Sequence, residues 1–167
     1  MLAAVSIMIS CSSMAVLGQE AAGQEFPVFE VDPLWPKALP YNWTYGHAPS
    51  VAVDSQDHVF ILTRPNTLAE DVRARATPPV IELDADGNFV NAWGGPSDDY
   101  DWPDSEHGIA IDFEDNVWIG GSAPVAPSLR ELNDDMLLKF TRTGEFLLQI
   151  GGRDASPTSL GQVGGNR

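Results

Sequence analysis

Two side chains of this sequence are of a type and placement that could do chemistry. His107 offers a neutral imidazole, a good ligand for zinc, and Arg64 a planar guanidinium matched to a carboxylate. Each also has a plainer reading: His107 as a loop residue hydrogen-bonded to backbone, Arg64 as the partner of Glu70 or Asp71. Just ahead of His107 runs an acidic series, Asp98, Asp99, Asp101, Asp104 and Glu106. It either supports a calcium ion or is a solvated connecting loop. Asp84-Ala85-Asp86-Gly87-Asn88 opens like an EF-hand loop, but Gly95 occupies the twelfth position, where a bidentate Glu is required, so that reading is excluded. His47 and His58 have no metal-ligand spacing. There is no phosphate loop and no Ser/His/Asp motif. Asn42-Trp43-Thr44 is a glycosylation sequon, meaningful only in a eukaryotic secretory pathway.

Whether His107 and Arg64 can act together depends on the elements that carry them. Val51-Ala52-Val53-Asp54 recurs 58 residues later as Ile109-Ala110-Ile111-Asp112, and His58–Leu62 recurs as Asn116–Gly120 at the same offset. Val80-Ile81-Glu82-Leu83 matches Leu137-Leu138-Lys139-Phe140 at 57 residues, as Gly87-Asn88-Phe89 matches Gly144-Glu145-Phe146 and Trp93-Gly94-Gly95 matches Ile150-Gly151-Gly152. Self-similarity at a fixed period is the signature of a repeat architecture. Each unit reads as four short strands, at 50–54, 58–63, 80–83 and 89–93, then at 108–112, 116–120, 137–140 and 146–150. Asp-Gly at a hairpin tip supplies the positive φ a tight turn needs. Thr67-Leu68-Ala69-Glu70 fits a capping box, which predicts a short helix over 68–75 in the first unit.

Repeated four-stranded antiparallel units describe the blades of an all-β propeller, in which the first strand of each blade lines a central channel. A β-sandwich would not require two units of the same internal order. Two blades do not close a ring, since propellers use roughly 4–8. Either the chain is a fragment of a larger ring or copies of it assemble around the axis; the expectation is the fragment, with the missing blades as partners.

In the aligned units His107 stands opposite Pro49 and Arg64 opposite Ser122, so neither residue is needed to build a blade. The first strand starts after His107, and the second returns antiparallel to end near Ser122, or near Arg64 in the other unit. Both side chains therefore reach the same mouth of the channel, in adjacent blades.

Ser50–Asp54, His107–Asp112 and Phe146–Gly152 resemble the NHL repeat. The stretch from Phe26 to Gly152 is similar, more narrowly, to propellers related to peptidyl-α-hydroxyglycine α-amidating lyase. The likeness includes Phe29–Pro36, Trp93-Gly94-Gly95-Pro96, and Tyr100-Asp101-Trp102-Pro103 before Glu106-His107-Gly108. The resemblance implies a six-bladed ring that splits a peptidyl-α-hydroxyglycine into a peptide amide and glyoxylate. That family uses zinc held by three histidines of different blades, a catalytic tyrosine, an arginine, and calcium on main-chain carbonyls. By motif, His107 matches the first zinc histidine and Arg64 the active-site arginine. Val51 and Ile109 match positions whose carbonyls face calcium. The remaining zinc histidines and the tyrosine match nothing in this chain. The other class of function is a non-catalytic propeller, binding a small peptide-like ligand, a glycan or a protein at the channel mouth.

The net charge of −15, spread along the chain, argues against nucleic acid and anionic lipid as partners. Leu2–Leu17 is an uncharged apolar run too short to span a bilayer comfortably. It reads as a signal peptide over 1–18, with Val16-Leu17-Gly18 before cleavage at Gln19, although no Lys or Arg precedes Lys37. Export to the periplasm or the extracellular space follows, with lipid attachment at Cys11 as the lesser alternative. Cys11 is the single cysteine, so the mature chain has neither disulfide nor thiolate ligand. The expected organisation is a lead-in over 19–49, a blade over 50–95, an acidic loop over 96–106, a blade over 107–152 and a linker over 153–167.

Overall fold

The computed structural model describes residues 26–122, 134–153 and 155. The expectations for the 1–18 segment, and nearly all of those for the linker after Arg153, lie outside these residues. Phe26–Val31 is exposed and without regular structure; the described residues from Asp32 onward form a compact unit of their own.

Eight strands form two four-stranded antiparallel sheets. The first contains β1 (His47–Val53), β2 (Val59–Arg64), β3 (Val80–Leu83) and β4 (Phe89–Trp93), in that spatial order. The second contains β5 (Glu106–Ile111), β6 (Val117–Gly121), β7 (Met136–Phe140) and β8 (Phe146–Gly151), again in chain order. The fold is that expected: all-β, with two meander sheets ordered as propeller blades. The two sheets leave the ring open.

The same turn chemistry builds both sheets. Asp54 Oδ1 accepts the backbone N–H of Gln56 and His58, at 2.8 and 2.9 Å, and Asp112 Oδ1 accepts those of Glu114 and Asn116, both at 2.9 Å. Asp57 and Asp115 take up the left-handed conformation at φ 62° and 60°, which a short side chain that bonds locally tolerates. At the β3–β4 and β7–β8 turns that conformation falls to Gly87 and Gly144. The pairing irregularities repeat too: one lies between Glu82 and Leu83, the other between Lys139 and Phe140.

Strand alternation sends one apolar set to each side of a sheet. Phe60, Leu62 and Val80 of the first sheet meet Ile109, Val117, Ile119, Leu138 and Phe140 of the second in the main core, where all but Ile109 are essentially inaccessible. Trp102, from the connecting loop, closes this core beside Phe140. The other side of the first sheet carries Ile61, Ile81 and Leu83, packed under Trp35 and Leu39 of the lead-in. That cover is incomplete. A cavity of about 490 Å³ remains between the lead-in and Ile61, Ile81 and Leu83.

The helix expected over 68–75 does not form. Single 3-10 turns stand at Pro65–Thr67 and Arg73–Arg75 instead. Thr67 Oγ1 is the reason: it donates to the Arg64 carbonyl (2.7 Å) and accepts the N–H of His47 (2.8 Å), so it is not free to cap a helix. Glu70, the other half of the supposed box, pairs with Arg73 at 2.7 Å. The first strands also begin earlier than the apolar pattern indicates, at His47 and Glu106 rather than at 50 and 108.

Candidate functional site

β1 and β5, the first strands of the two sheets, lie side by side at their inner edges. Both begin with a bulge. Glu106 pairs with Gly121 and Gly108 with Gly120, which leaves His107 as the extra residue; between His47 and Ser50 the register slips in the same sense. His107 thus lies inside a strand rather than before one. A bulge re-aims the side chain it carries. His107 is exposed, and no described residue bonds its imidazole, so the reading of it as tied to backbone is not what the structure has. The space beside it is open, for a Cβ built on Gly108 would meet nothing within 4 Å.

Arg64 ends β2 and reaches across to the second sheet. Its Nε donates to the carbonyl of Glu106 at 2.6 Å, so it is held to the residue just before His107. Neither Glu70 nor Asp71 is its partner. The terminal guanidinium nitrogens have no hydrogen-bond or ion-pair partner among the described residues. The structure thus brings Arg64 and His107 together at one end of the inner strands. His47 joins them from the register, directly opposite Arg64. Gly46 makes the approach feasible, since any Cβ there would run into the Arg64 carbonyl and the Thr67 hydroxyl.

Glu106, read from the sequence as the last member of the acidic series, is neither solvated nor in the loop, for it begins β5. Its side chain is buried, with Oε1 accepting the indole N–H of Trp102 at 2.9 Å and Oε2 without a partner among the described residues. Burial pushes its carboxyl above the usual range. The Trp102 N–H, its own backbone N–H and the charge of Arg64 oppose that rise, and the nearby Asp134 adds to it.

Val51 and Ile109 occupy matching places on the inner strands, opposite Ile61 and Ile119. Val51 is 61% exposed and Ile109 only 8%. The N–H of Ile109 donates to Ser50 Oγ at 3.3 Å, away from β6. A strand residue's N–H and C=O point to the same side, so the Ile109 carbonyl also faces the inner edge.

The acidic loop is tied to protein groups. Asp101 bonds Gln149 (3.1 Å) and the Arg153 N–H (3.3 Å), and Asp104 pairs with Arg153 at 2.9 Å. Only Asp98 and Asp99 of the series are exposed without a bond of this kind to the sheet.

Among the described residues, Asp54, His58 and Glu82 form the one group of three potential metal ligands, with donor atoms within 4.8 Å of one another. Arg142, from the β7–β8 turn of the second sheet, already fills it. Its Nη2 lies 2.6 Å from Glu82 Oε1 and 2.9 Å from Asp54 Oδ2, while His58 Nδ1 lies 2.8 Å from Glu82 Oε1. The contact to Asp54 is an ion pair without hydrogen-bond geometry. A guanidinium stands where a cation would, so this is a clasp between sheets and not a metal centre. No described residues gather around His107 in a comparable set.

Comparison with protein-family models and with curated proteins finds no match. Among the described residues no helix is long and apolar enough to cross a membrane.

Proposed function

We propose that the chain contributes two blades to an exported NHL-type propeller whose channel mouth binds a small peptide-like ligand through its carboxylate. One observation carries this reading: Arg64 is anchored by Nε to the Glu106 carbonyl, beside the exposed His107, with no described residue paired to its outer nitrogens. An anchored guanidinium loses little freedom when it takes up a carboxylate, and its fork gives two parallel bonds. In a chain of charge −15 such an arginine also marks the place where an anion is favoured locally.

The lyase reading is the specific form of this proposal, and it draws support from the meeting of Arg64 and His107. Zinc, when bound, would act as a Lewis acid on a substrate hydroxyl. A catalytic site normally takes three protein ligands, and the described residues offer His107 alone. They do not fit a complete zinc centre, and no step of a reaction is derived through the ion. Calcium fares better, because the inward carbonyl of Ile109 is a donor of the right kind. What this chain's own residues do is bind and orient: Arg64 holds the carboxylate, and His107 presents an imidazole to the adjacent group. A non-catalytic binding propeller uses the same two residues equally well.

The test is calorimetric titration with a short peptide ending in α-hydroxyglycine and with the corresponding peptide amide. The acid should bind, and Arg64→Ala should weaken it about tenfold, the worth of one or two charge-assisted hydrogen bonds. The amide should bind both proteins alike. Equal binding of the acid to wild type and Arg64→Ala would remove the proposal. Zinc chloride should bind weakly, and the chain alone should release no glyoxylate. Sub-micromolar zinc affinity lost in His107→Ala, or glyoxylate release, would show that two blades suffice for the lyase site.

A further inference from the structure

We infer that the outer face of the second sheet is the docking surface for a further four-stranded sheet that is neither sheet of this chain and has an uncharged rim. The inference rests on reading the two sheets as blades and is independent of the ligand site. The starting point is an equivalence between a covered face and an open one. On the first sheet, Ala52, Phe60, Val80 and Trp93 pack against the second sheet. At the repeat offsets their counterparts are Ala110, Trp118, Leu137 and Ile150. Ile150 and Leu137 are 53% and 39% exposed, and Leu148, opposite Lys139 on the same side, is 43% exposed. The polar groups of this face are already paired with one another. Trp118 donates to Asp112 at 2.9 Å, and Lys139 lies 2.9 Å from Asp112 and over the Trp118 ring. The face can therefore be dried without stranding a charge.

The established interface shows what kind of sheet fits such a face: one presenting an aliphatic side like Ile109, Val117, Ile119 and Leu138. The rim shows which sheet does not. Between the two sheets, Arg142 enters the notch of Asp54 and Glu82, and Asp115 accepts the hydroxyl of Ser55 at 2.6 Å. At the corresponding places the second sheet has Asp112 with Lys139, and Phe113, which is 96% exposed. A copy of the second sheet would bring an arginine against Lys139 and a carboxylate against Phe113. Like-charge contact and unpaired burial of this kind reject a wrong partner. A second copy of the whole chain does not serve either. The aliphatic side of its second sheet is already buried, and that of its first sheet lies under Trp35 and Leu39. The occupant is a distinct blade, with an apolar group where this chain has Asp115 and no cation where it has Arg142.

The experiment extends the chain by repeating residues 96–152 after Gly152, once unchanged and once with Asp115→Leu and Arg142→Leu in the added repeat. Leu137→Cys, in a Cys11→Ser background, reports on the face through its rate of reaction with a thiol reagent. The altered repeat should slow labelling at least tenfold, and the unchanged repeat less than twofold. In the unextended chain, labelling should not depend on protein concentration. Equal protection by both repeats, protection by neither, or an altered repeat that stays unfolded beside an intact chain would overturn the inference. So would protection that rises with concentration in the unextended chain, which would make a second copy the occupant.

Discussion

The indole of Trp93, at the end of the first sheet, lies directly on Gly144 in the last turn of the second: a Cβ on Gly144 would fall 2.6 Å from Trp93 Cγ. Trp35 stands in the same relation to Gly87, where a Cβ would meet its ring at 2.7 Å. The lead-in thus offers the first sheet the tryptophan that the first sheet offers the second. Gly144 is also in the left-handed region, at φ 93°. Gly144→Ala should therefore cost roughly 2–4 kcal/mol, from backbone strain and overpacking together. A lowered urea midpoint with an unchanged slope checks this. A loss below about 1 kcal/mol would mean that the indole moves aside freely.

Removing the clasp should be costlier than its surface position implies. Arg142→Leu leaves the carboxylates of Asp54 and Glu82, with side chains 0% and 4% exposed, facing each other with only His58 nearby. Breaking a buried pair from one side costs about 3–5 kcal/mol. Replacing Glu82 as well, in Glu82→Leu/Arg142→Leu, should recover much of it. A double-mutant cycle in urea measures the coupling, and additivity would refute the clasp.

Glu106 should tilt stability with pH in the direction opposite to the usual carboxylate. Its folded value lies above the usual carboxyl value of 4.5. Between the two, the folded state holds more protons, so stability falls as pH rises through that window. Glu106→Gln keeps an acceptor for Trp102 and removes the titration. The variant should be the more stable at pH 7, with the difference shrinking as pH drops to 4.5 and below. Urea midpoints across that range decide it, and a difference that grows on acidification would refute the assignment.

Asp112 works the other way. Burial favours its neutral form, but the Trp118 indole, Lys139 and the N–H groups of Asn116 and Glu114 outweigh that and hold the carboxyl well below the usual range. Its contribution is complete above the unfolded value near 3.8 and is lost as pH falls beneath it. Asp112→Asn should lower the urea midpoint at pH 7 and converge on wild type under strong acid. Parallel curves for the two proteins would contradict this.

The sheets were legible because their turns are written locally. An Asp that accepts two N–H groups within four residues, and a Gly three residues after another Asp or Thr, fix chain reversals without distant help. The nearness of Arg64 to the start of β5 could also be read, since strand direction alone brings the two to one end of the inner strands. The helix over 68–75 was misread because Thr67 finds partners on β1 and β2 that the local pattern does not contain. The Arg142 clasp, the Trp93–Gly144 contact and the burial of Glu106 join residues of different sheets or of a loop and a core. One trace of the clasp does exist in the sequence: Glu82 of the first unit, buried, becomes Lys139 in the second, partly exposed, a charge reversal that accompanies a change of neighbour.

The cap that Trp35 and Leu39 place over one side of the first sheet gives the molecule a direction in time. During synthesis the lead-in emerges first and can cover Ile61, Ile81 and Leu83 as soon as β1–β4 pair. The opposite side, with Phe60 and Leu62, must wait for the second sheet, whose own outer side then waits in turn. Growth N-terminus first thus leaves a single uncovered side at any moment, always the newest. A circular permutant that moved the lead-in behind Gly152 would break this order. It would hold the same contacts, yet leave Ile61, Ile81 and Leu83 bare until the last residues were made, with the outer side of the second sheet bare at the same time, and aggregation of the nascent chain, rather than loss of final stability, is where the change would be felt.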